Sequence, residues 1–222
     1  MPIDLDALRR IPLFAELDAD DLAQVAAVTR ERHYDRGDVI LLAGESGGAR
    51  QYVLAGLVKV YKTSPEGKEQ VLRLIGPGHT FNDVPALDGG PNPASASALE
   101  PSVVYAIGRE QLRRLMLERP AVAMGAVRTM ASALRHLVSL VEDLSFRHVT
   151  ARVAKILLDQ DEATATEGQP LHRLTQQEMA AMAGTAREMV GRALKELEVA
   201  GAISLHQGRV AVLDRVRLRL LV

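Results

Sequence analysis

The 222-residue sequence contains no cysteine. That absence removes disulfides, cysteine-ligated iron-sulfur clusters, thiolate zinc sites and cysteine nucleophiles together. Tryptophan is also missing, with only three phenylalanines and four tyrosines, so aliphatic side chains and alanine must fill the interior. No stretch approaches the ~20 apolar residues of a membrane span. The opening "MPIDLDALRRIPLF" places acids where a signal peptide has a basic start and an apolar run. A soluble cytoplasmic protein without membrane contact is the expectation. A formal net charge of −1 excludes a uniformly basic coat for nucleic acid, so any polyanion must be met by a local patch.

What is present falls into three textures. Residues 3 to 29 have helical periodicity, with Asp18 as a cap and Leu22, Val25 and Val28 on one stripe. From Tyr34 to Ile107 short alternating runs such as "DVILLAG" and "ARQYVLAGLVKVYKT" are punctuated by Gly37, Gly44, Gly56, Gly67, Gly76 and Gly78. This predicts short strands in a sandwich or small barrel, often a jelly roll, with "SPEGKEQ" as the most legible hairpin turn. After Pro120 the spacing changes again. Val127, Met130, Leu134, Leu137, Val141 and Leu144 fall at steps of three and four, a heptad stripe sustained over roughly three heptads. Such a helix can pack on its own domain. Here a second line, Met124, Ala131, Val138 and Ser145, is expected to serve the home domain, leaving the first as a seam for an identical chain.

Beyond Thr150, "ARVAKILLDQ" predicts an amphipathic helix and "DEATATEGQP" a polar loop. Thr175 to Glu178 and Thr185 to Glu188 both fit the capping box, in which threonine accepts from a backbone N–H and glutamate reaches back. Two such starts ten residues apart, with a turn at Gly184, give the layout of a helix-turn-helix. Ile203, Leu205, Val210 and Val212 then alternate around "HQGR", as a two-stranded wing would require. In such a unit the first turns of the second helix enter the major groove, where arginine pairs bidentately with guanine and glutamate accepts from cytosine. Arg187, Glu188 and Arg192 have that chemistry and position; as an alternative, Glu188 and Arg192 are an ordinary i,i+4 surface pair. From Leu171 onward eight basic residues face five acidic ones, a local positive excess for phosphate contact. Thr175, Gln176, Thr185, Lys195 and Arg209 are the candidate backbone contacts, which orient rather than specify.

Together these features resemble the Crp/Fnr superfamily of bacterial transcription regulators, the family of the cyclic-AMP receptor protein. The likeness extends over nearly the whole chain. "TQQEMAAMAGTAREMVGRALKELEVAGAI" follows the family's helix-turn-helix signature, "LSFRHVTARVAKILL" its hinge, and "RGDVILLAGE" with Gly56 its β-roll glycine scaffold. The resemblance implies an α+β fold: a β-roll sensor domain of double-stranded β-helix, cyclic-nucleotide-binding-like type (residues 1–119), a long dimerisation helix (120–148) and a winged helix-turn-helix DNA-binding domain (149–222). It implies a homodimer on double-stranded DNA, with RNA polymerase as a further partner. It carries Arg187, Glu188 and Arg192 over as readers of a TGTGA-like half-site.

The same resemblance places an effector pocket at Asn82, Asp83, Val84, Ala94, Ser95, Leu137 and Val138. There the family's Gly-Glu pair for ribose is replaced by Asn82-Asp83 and its Arg-Ser pair for the cyclic phosphate by Pro93-Ala94. A phosphate buried without a cationic or strong hydrogen-bonding partner is heavily penalised, so cyclic AMP is disfavoured. No cofactor, metal site or catalytic residue is expected. Haem stays open, because His33, His79, His136 and His148 exist, though none sits in a motif that requires it. The alternative function is a cupin-like β-roll enzyme or small-ligand-binding protein with an accessory DNA-binding domain. It lacks the clustered histidine and carboxylate ligands such a site needs.

Overall fold

The computed structural model describes residues 3–46, 48–167, 173–206 and 209–222. The chain separates into two compact units, one of residues 1–62 with 72–136, the other of 63–71 with 137–222.

The first unit opens with α1 (Leu5–Arg9) and α2 (Ala19–Val28). The Asp18 side chain caps α2 by accepting from Asp21 N–H at 2.8 Å, which satisfies a donor that the helix start leaves unpaired. Leu22 and Val25 are buried as expected, whereas Val28 is exposed, because Thr29 turns extended and ends the helical stripe. The strands follow: β1 (Thr29–Tyr34), β2 (Val39–Leu41), β3 (Ala49–Ala55), β4 (Val58–Thr63), β5 (Glu69–Ile75) and β6 (Thr80–Phe81). A short helix α3 (Asp83–Asp88) precedes β7 (Ser95–Ala98), β8 (Ser102–Gly108) and α4 (Arg109–Glu118). Two four-stranded sheets result, ordered β1-β8-β3-β6 and β2-β7-β4-β5, in keeping with the sandwich or small barrel that the alternating runs predicted and the β-roll that the family resemblance implied. The "SPEGKEQ" turn, in the 63–71 stretch that groups with the second unit, forms with Ser64 N–H donating to Lys68 C=O at 2.8 Å. Gly56, at φ +86°, cannot be replaced easily: a Cβ there would lie 2.4 Å from the carbonyl oxygen of Pro101.

Between the sheets sit Val53, Val58, Ile75, Phe81, Ala96 and Val104. A second cluster joins α1, α2 and α4 to Tyr52, Tyr105 and Ile107 and reaches Val122 and Ala126. These last two residues begin α5 (Pro120–Phe146), whose buried residues are Val122, Gly125 and Ala126. The home-facing line is therefore this one, and not Met124, Ala131, Val138 and Ser145; Met124 and Val138 are 52% and 60% exposed. The reason is close approach. A Cβ on Gly125 would come within 3.0 Å of the Leu13 backbone, so the packed face needs its smallest residues.

Two charge pairs tie this unit together. Arg119, just past α4, grips Asp21 bidentately, with Nε to Oδ2 at 2.7 Å and Nη2 to Oδ1 at 2.5 Å. Arg50 and Asp83 form an almost wholly buried pair, Nε to Oδ1 at 2.7 Å. That contact is out of line for a hydrogen bond, so Arg50 Nε and Nη1 lack hydrogen-bond acceptors among the described residues. Thr80 Oγ1 bridges the pair, accepting from Arg50 Nη2 at 3.2 Å and donating to Asp83 at 3.2 Å.

The second unit contains α6 (Val149–Glu167), α7 (Gln176–Ala183), α8 (Arg187–Val199), the antiparallel pair β9 (Ile203–His206) and β10 (Arg209–Val212), and α9 (Arg215–Leu220). Its core joins Val153, Ala154 and Leu157 of α6 to Met179, Val190, Leu194, Leu197 and Leu218. Helix α6 runs through Asp161–Glu167, where a polar loop was expected; its alanines and glutamates are good helix formers. The remainder of that loop, and Gln207 and Gly208 of the wing turn, lie outside the described residues. No helix among the described residues is long and apolar enough to cross a membrane.

The Arg119 contact holds the Asp21 carboxyl below the ordinary carboxylate range. A depressed folded value stabilises the protein at neutral pH, and that contribution is lost as pH falls through it. Asp21→Asn is expected to lower stability at neutral pH and to flatten its acid dependence, read by urea denaturation across that range; parallel curves for the two proteins would refute the assignment.

Candidate nucleic-acid interface

Helix α7 starts at Thr175 with a complete capping box. Thr175 N–H donates to Glu178 Oε2 at 2.6 Å and Glu178 N–H to Thr175 Oγ1 at 3.1 Å. The helix ends at Gly184 in the left-handed region, φ 61° and ψ 42°, where a residue without Cβ is favoured. Thr185 N–H is then taken by Ala180 C=O at 3.0 Å. This closure displaces the next helix start by one residue. The N-cap of α8 is Ala186, without a side-chain cap, and the capping box expected from Thr185 to Glu188 does not form. Glu188 sits at the second helical position, not the third that the box requires. Its carboxylate is free of the cap, so holding the helix start and accepting from a base do not compete.

Val190, Ala193, Leu194 and Leu197 of α8 are buried against the unit's core. The opposite face presents Arg187, Glu188, Arg192 and Lys195, all exposed. Glu188 and Arg192 make no ion pair with each other among the described residues. Gln176, exposed at the start of α7, has its amide oxygen 3.8 Å from where a Cβ on Gly191 would stand, which brings the first turns of α7 and α8 together. Thr175 is exposed, Thr185 half-buried, and Arg209 exposed on β10 opposite His206. The fold thus gathers the candidate DNA-contacting residues onto the capped turn of α7, the outer face of α8 and the wing.

The cations of this unit divide into two sets. Arg147 and Lys155 both bind Asp143, at 2.7 Å and 2.5 Å. Arg152 donates to the carbonyls of Ala183 and Arg147 at 2.7 Å and 2.6 Å. Arg215 pairs with Asp161, Arg219 with Glu162 at 2.6 Å, and Arg217 donates to Ala200 C=O at 2.9 Å. By contrast, Arg187, Arg192, Lys195 and Arg209 have no hydrogen bond or ion pair among the described residues. The local basic excess is therefore narrower than the sequence count: the α9 arginines are engaged, and the exposed charge is concentrated on α8 and the wing.

The expected seam residues Val127, Leu134, Leu137, Val141 and Leu144 are exposed, and Met130 is half-buried. Of the expected effector residues, Asn82 takes φ +62° and donates from Nδ2 to Ala49 C=O at 2.9 Å. Asp83 is engaged by Arg50. Ser95 Oγ accepts from Ala43 N–H at 3.0 Å, Ala94 is buried, and Val84, Leu137 and Val138 are exposed. The inward arginine on β3 carries no sequence signal, since "ARQYV" alternates as an ordinary strand.

The chain matches the family model for the cyclic nucleotide-binding domain over residues 31–119 and that for the Crp-like helix-turn-helix domain over residues 151–221. It is 30% identical over 217 residues to the CRP-like cAMP-activated global transcriptional regulator of Mycobacterium tuberculosis, covering 96% of this chain and 97% of the relative. With the Cyclic AMP receptor protein of Thermus thermophilus it shares 34% identity over 202 residues, 90% of this chain and 92% of that one. Among solved structures, FixK2 from Bradyrhizobium japonicum superposes with a TM-score of 0.76 at 26% identity, over 87% of this chain and 97% of that one.

The two threonines offer a direct check. Thr175→Ala, which removes the observed cap, is expected to cost about 1 kcal/mol, while Thr185→Ala, which removes none, should stay within about 0.5 kcal/mol. Urea denaturation measures both, and equal losses would restore the second capping box.

Proposed function

We propose that this chain, which belongs to the Crp/Fnr family of transcription regulators, works in the cytoplasm as a homodimer that reads a TGTGA-like palindrome through Arg187, Glu188 and Arg192. The family makes it a DNA-binding regulator and not an enzyme; the operator, the pairing and the gating are our reading. The division of labour follows the sequence expectation, with residues 1–119 as sensor, 120–148 as dimerisation helix and 149–222 as DNA-binding domain. RNA polymerase is the further partner this reading includes.

One observation carries the proposal: the cations of α8 and the wing are unengaged, while Arg147, Arg152, Arg215, Arg217 and Arg219 are bound within the unit. Free guanidinium groups on a helix face can pair bidentately with guanine O6 and N7. Lys195 and Arg209, with Thr175, Gln176 and Thr185, meet phosphates and fix register. The exposed stripe on α5 supplies the second half. Val127, Met130, Leu134, Leu137, Val141 and Leu144 close against the same stripe of a twin, and two recognition helices then address half-sites one turn of DNA, ~34 Å, apart.

The Mycobacterium tuberculosis relative is named as cAMP-activated and the Thermus thermophilus one as a cyclic AMP receptor, and the residues here do not fit that ligand. Asp83, at the ribose position, is held by Arg50 at 2.7 Å, and Pro93 and Ala94 offer no side-chain donor to a phosphate. The gating effector in this reading is therefore something other than cyclic AMP.

Arg187→Ala is expected to cost about 1–3 kcal/mol at one guanine position and to relax preference there, while Lys195→Ala weakens binding to all sequences alike. Fluorescence titrations across operator variants decide this, and equal losses on every sequence for both variants would overturn the assignment of base readers. Leu134→Asp is expected to turn a dimer into a monomer in sedimentation at micromolar concentration and to abolish tight binding of the palindrome; a wild-type protein that sediments as a monomer would remove the seam.

A further inference from the structure

Within the first unit a cavity of about 310 Å³, at the small end of the range for ligand pockets, is lined by Arg73, His79, Thr80, Arg128, Thr129 and Ser132. None of these belongs to the effector segment expected from the family resemblance. Arg73 is half-buried on β5, and its guanidinium has no hydrogen bond or ion pair among the described residues. Arg128 has only a 3.3 Å contact with Glu16, in which both side chains are largely exposed; such a pair contributes little and is easily exchanged. Thr80 connects the cavity wall to the buried pair behind it, accepting from Arg50 Nη2 and donating to Asp83.

The charges do not balance. Asp83 is the carboxylate that faces Arg50 and also the one whose field reaches Arg73. Arg50 still has Nε and Nη1 buried without a hydrogen-bond acceptor. Burial pushes both guanidinium groups down from their ordinary value, with Asp83 opposing the shift in each. Arg50 is thus paired with Asp83 behind Thr80, while Arg73, on the cavity wall itself, has no ion pair among the described residues, and the same cavity also carries Arg128 and His79. A desolvated cation without a counter-ion is costly, and an oxyanion is the group that a guanidinium fork pairs with best.

We propose that this cavity is a binding site for a small oxyanion, carried by a phosphate or a carboxylate group, with Arg73 as its principal partner and Arg128, Ser132 and His79 Nε2 closing over it. Thr129 is not the anchor, since its hydroxyl donates to Gly125 C=O at 3.0 Å. The site rests on the sensor unit alone and stands or falls independently of the DNA reading.

The test needs no DNA. Full-length protein at fixed ionic strength is titrated with inorganic phosphate, with succinate and with sodium chloride, and its melting temperature and calorimetric binding are followed. A concentration-dependent rise with phosphate but not succinate assigns the phosphate source, the reverse assigns the carboxylate source, and chloride should do neither. Arg73→Gln should weaken the effective anion at least about tenfold, a difference of about 1.4 kcal/mol, while Arg135→Gln, on the exposed side of α5, should bind as wild type. Ser132 is exposed, so Ser132→Glu leaves the fold intact, sets a carboxylate at the cavity mouth and should abolish binding even if Arg73→Gln fails to fold. No response beyond that of chloride, or a response retained by Ser132→Glu, would overturn the site.

Discussion

A 27-residue helix spans about 40 Å, yet α5 buries only Val122, Gly125 and Ala126, all within its first two turns. From Val127 to Phe146 it carries an apolar stripe that its own chain leaves in water, with Val127, Leu134 and Val141 at 59%, 64% and 63% exposure. This is the constraint to which the rest of the molecule answers. Fully burying one such side chain contributes about 1.5–3 kcal/mol, well short of the 4–15 kcal/mol lost when two bodies associate. In the homodimer we propose, only a stripe supplied by both copies at once could hold them, and the apolar positions would then need their step of three and four over the whole length. The small residues at 125 and 126 serve the opposite need, letting the helix lie directly on the Leu13 backbone. One helix thus has a tight intramolecular end and a long open seam.

Charge is partitioned with the same economy in the second unit. A chain of net charge −1 has little cation to spare, and the α9 arginines and those near the start of α6 are tied to carboxylates and carbonyls, where they fasten elements to one another. Apart from Lys68 and Arg173, the cations left free among the described residues of this unit are on the outer face of α8 and on the wing. Phosphate binding then gains from counterion release at a few positions without general stickiness towards polyanions. Because α8 begins at an uncapped Ala186, its first N–H groups also keep their donors and the positive end of the helix dipole turned outward.

Periodicity makes much of this legible in the sequence itself: the strand texture, the heptad stripe, the capped start of α7, the Gly184 turn and the alternating wing each depend on local rules that a sequence displays. The expectations that needed revision all depended on something non-local. Helix α6 continues where the polar composition suggests a loop, and Arg215 and Arg219 of α9 hold Asp161 and Glu162 there, a contact that no local pattern announces. Thr185 looked like a cap because the pattern S/T-x-x-E contains no information about the preceding helix, whose closing hydrogen bond to Ala180 occupies Thr185 N–H. The home face of α5 was assigned to the wrong line because larger apolar residues attract attention, while the actual contact selects glycine and alanine. Arg50 was missed outright, since an inward charge on a strand follows no period.

That missed arginine changes how the sensor unit is to be understood. By the family resemblance, position 83 would be a ribose partner and positions 93 and 94 would hold the phosphate. Here the acid is turned to an internal cation, and the phosphate partners are replaced by proline and alanine. Loss of the anion-binding pair alone would leave an empty apolar recess, which could have been filled by larger aliphatic side chains at little cost. Instead β3 and β5 bring in two arginines, one of them 3% exposed, and burial of such groups is tolerated only when something negative offsets it. Asp83 is one charge against two. Positive charge in this unit thus stands on β3, β5 and α5 and not in the loop after α3, and the recess lined by Arg73 and Arg128 is, in our reading, an anion site that selects for a different molecule.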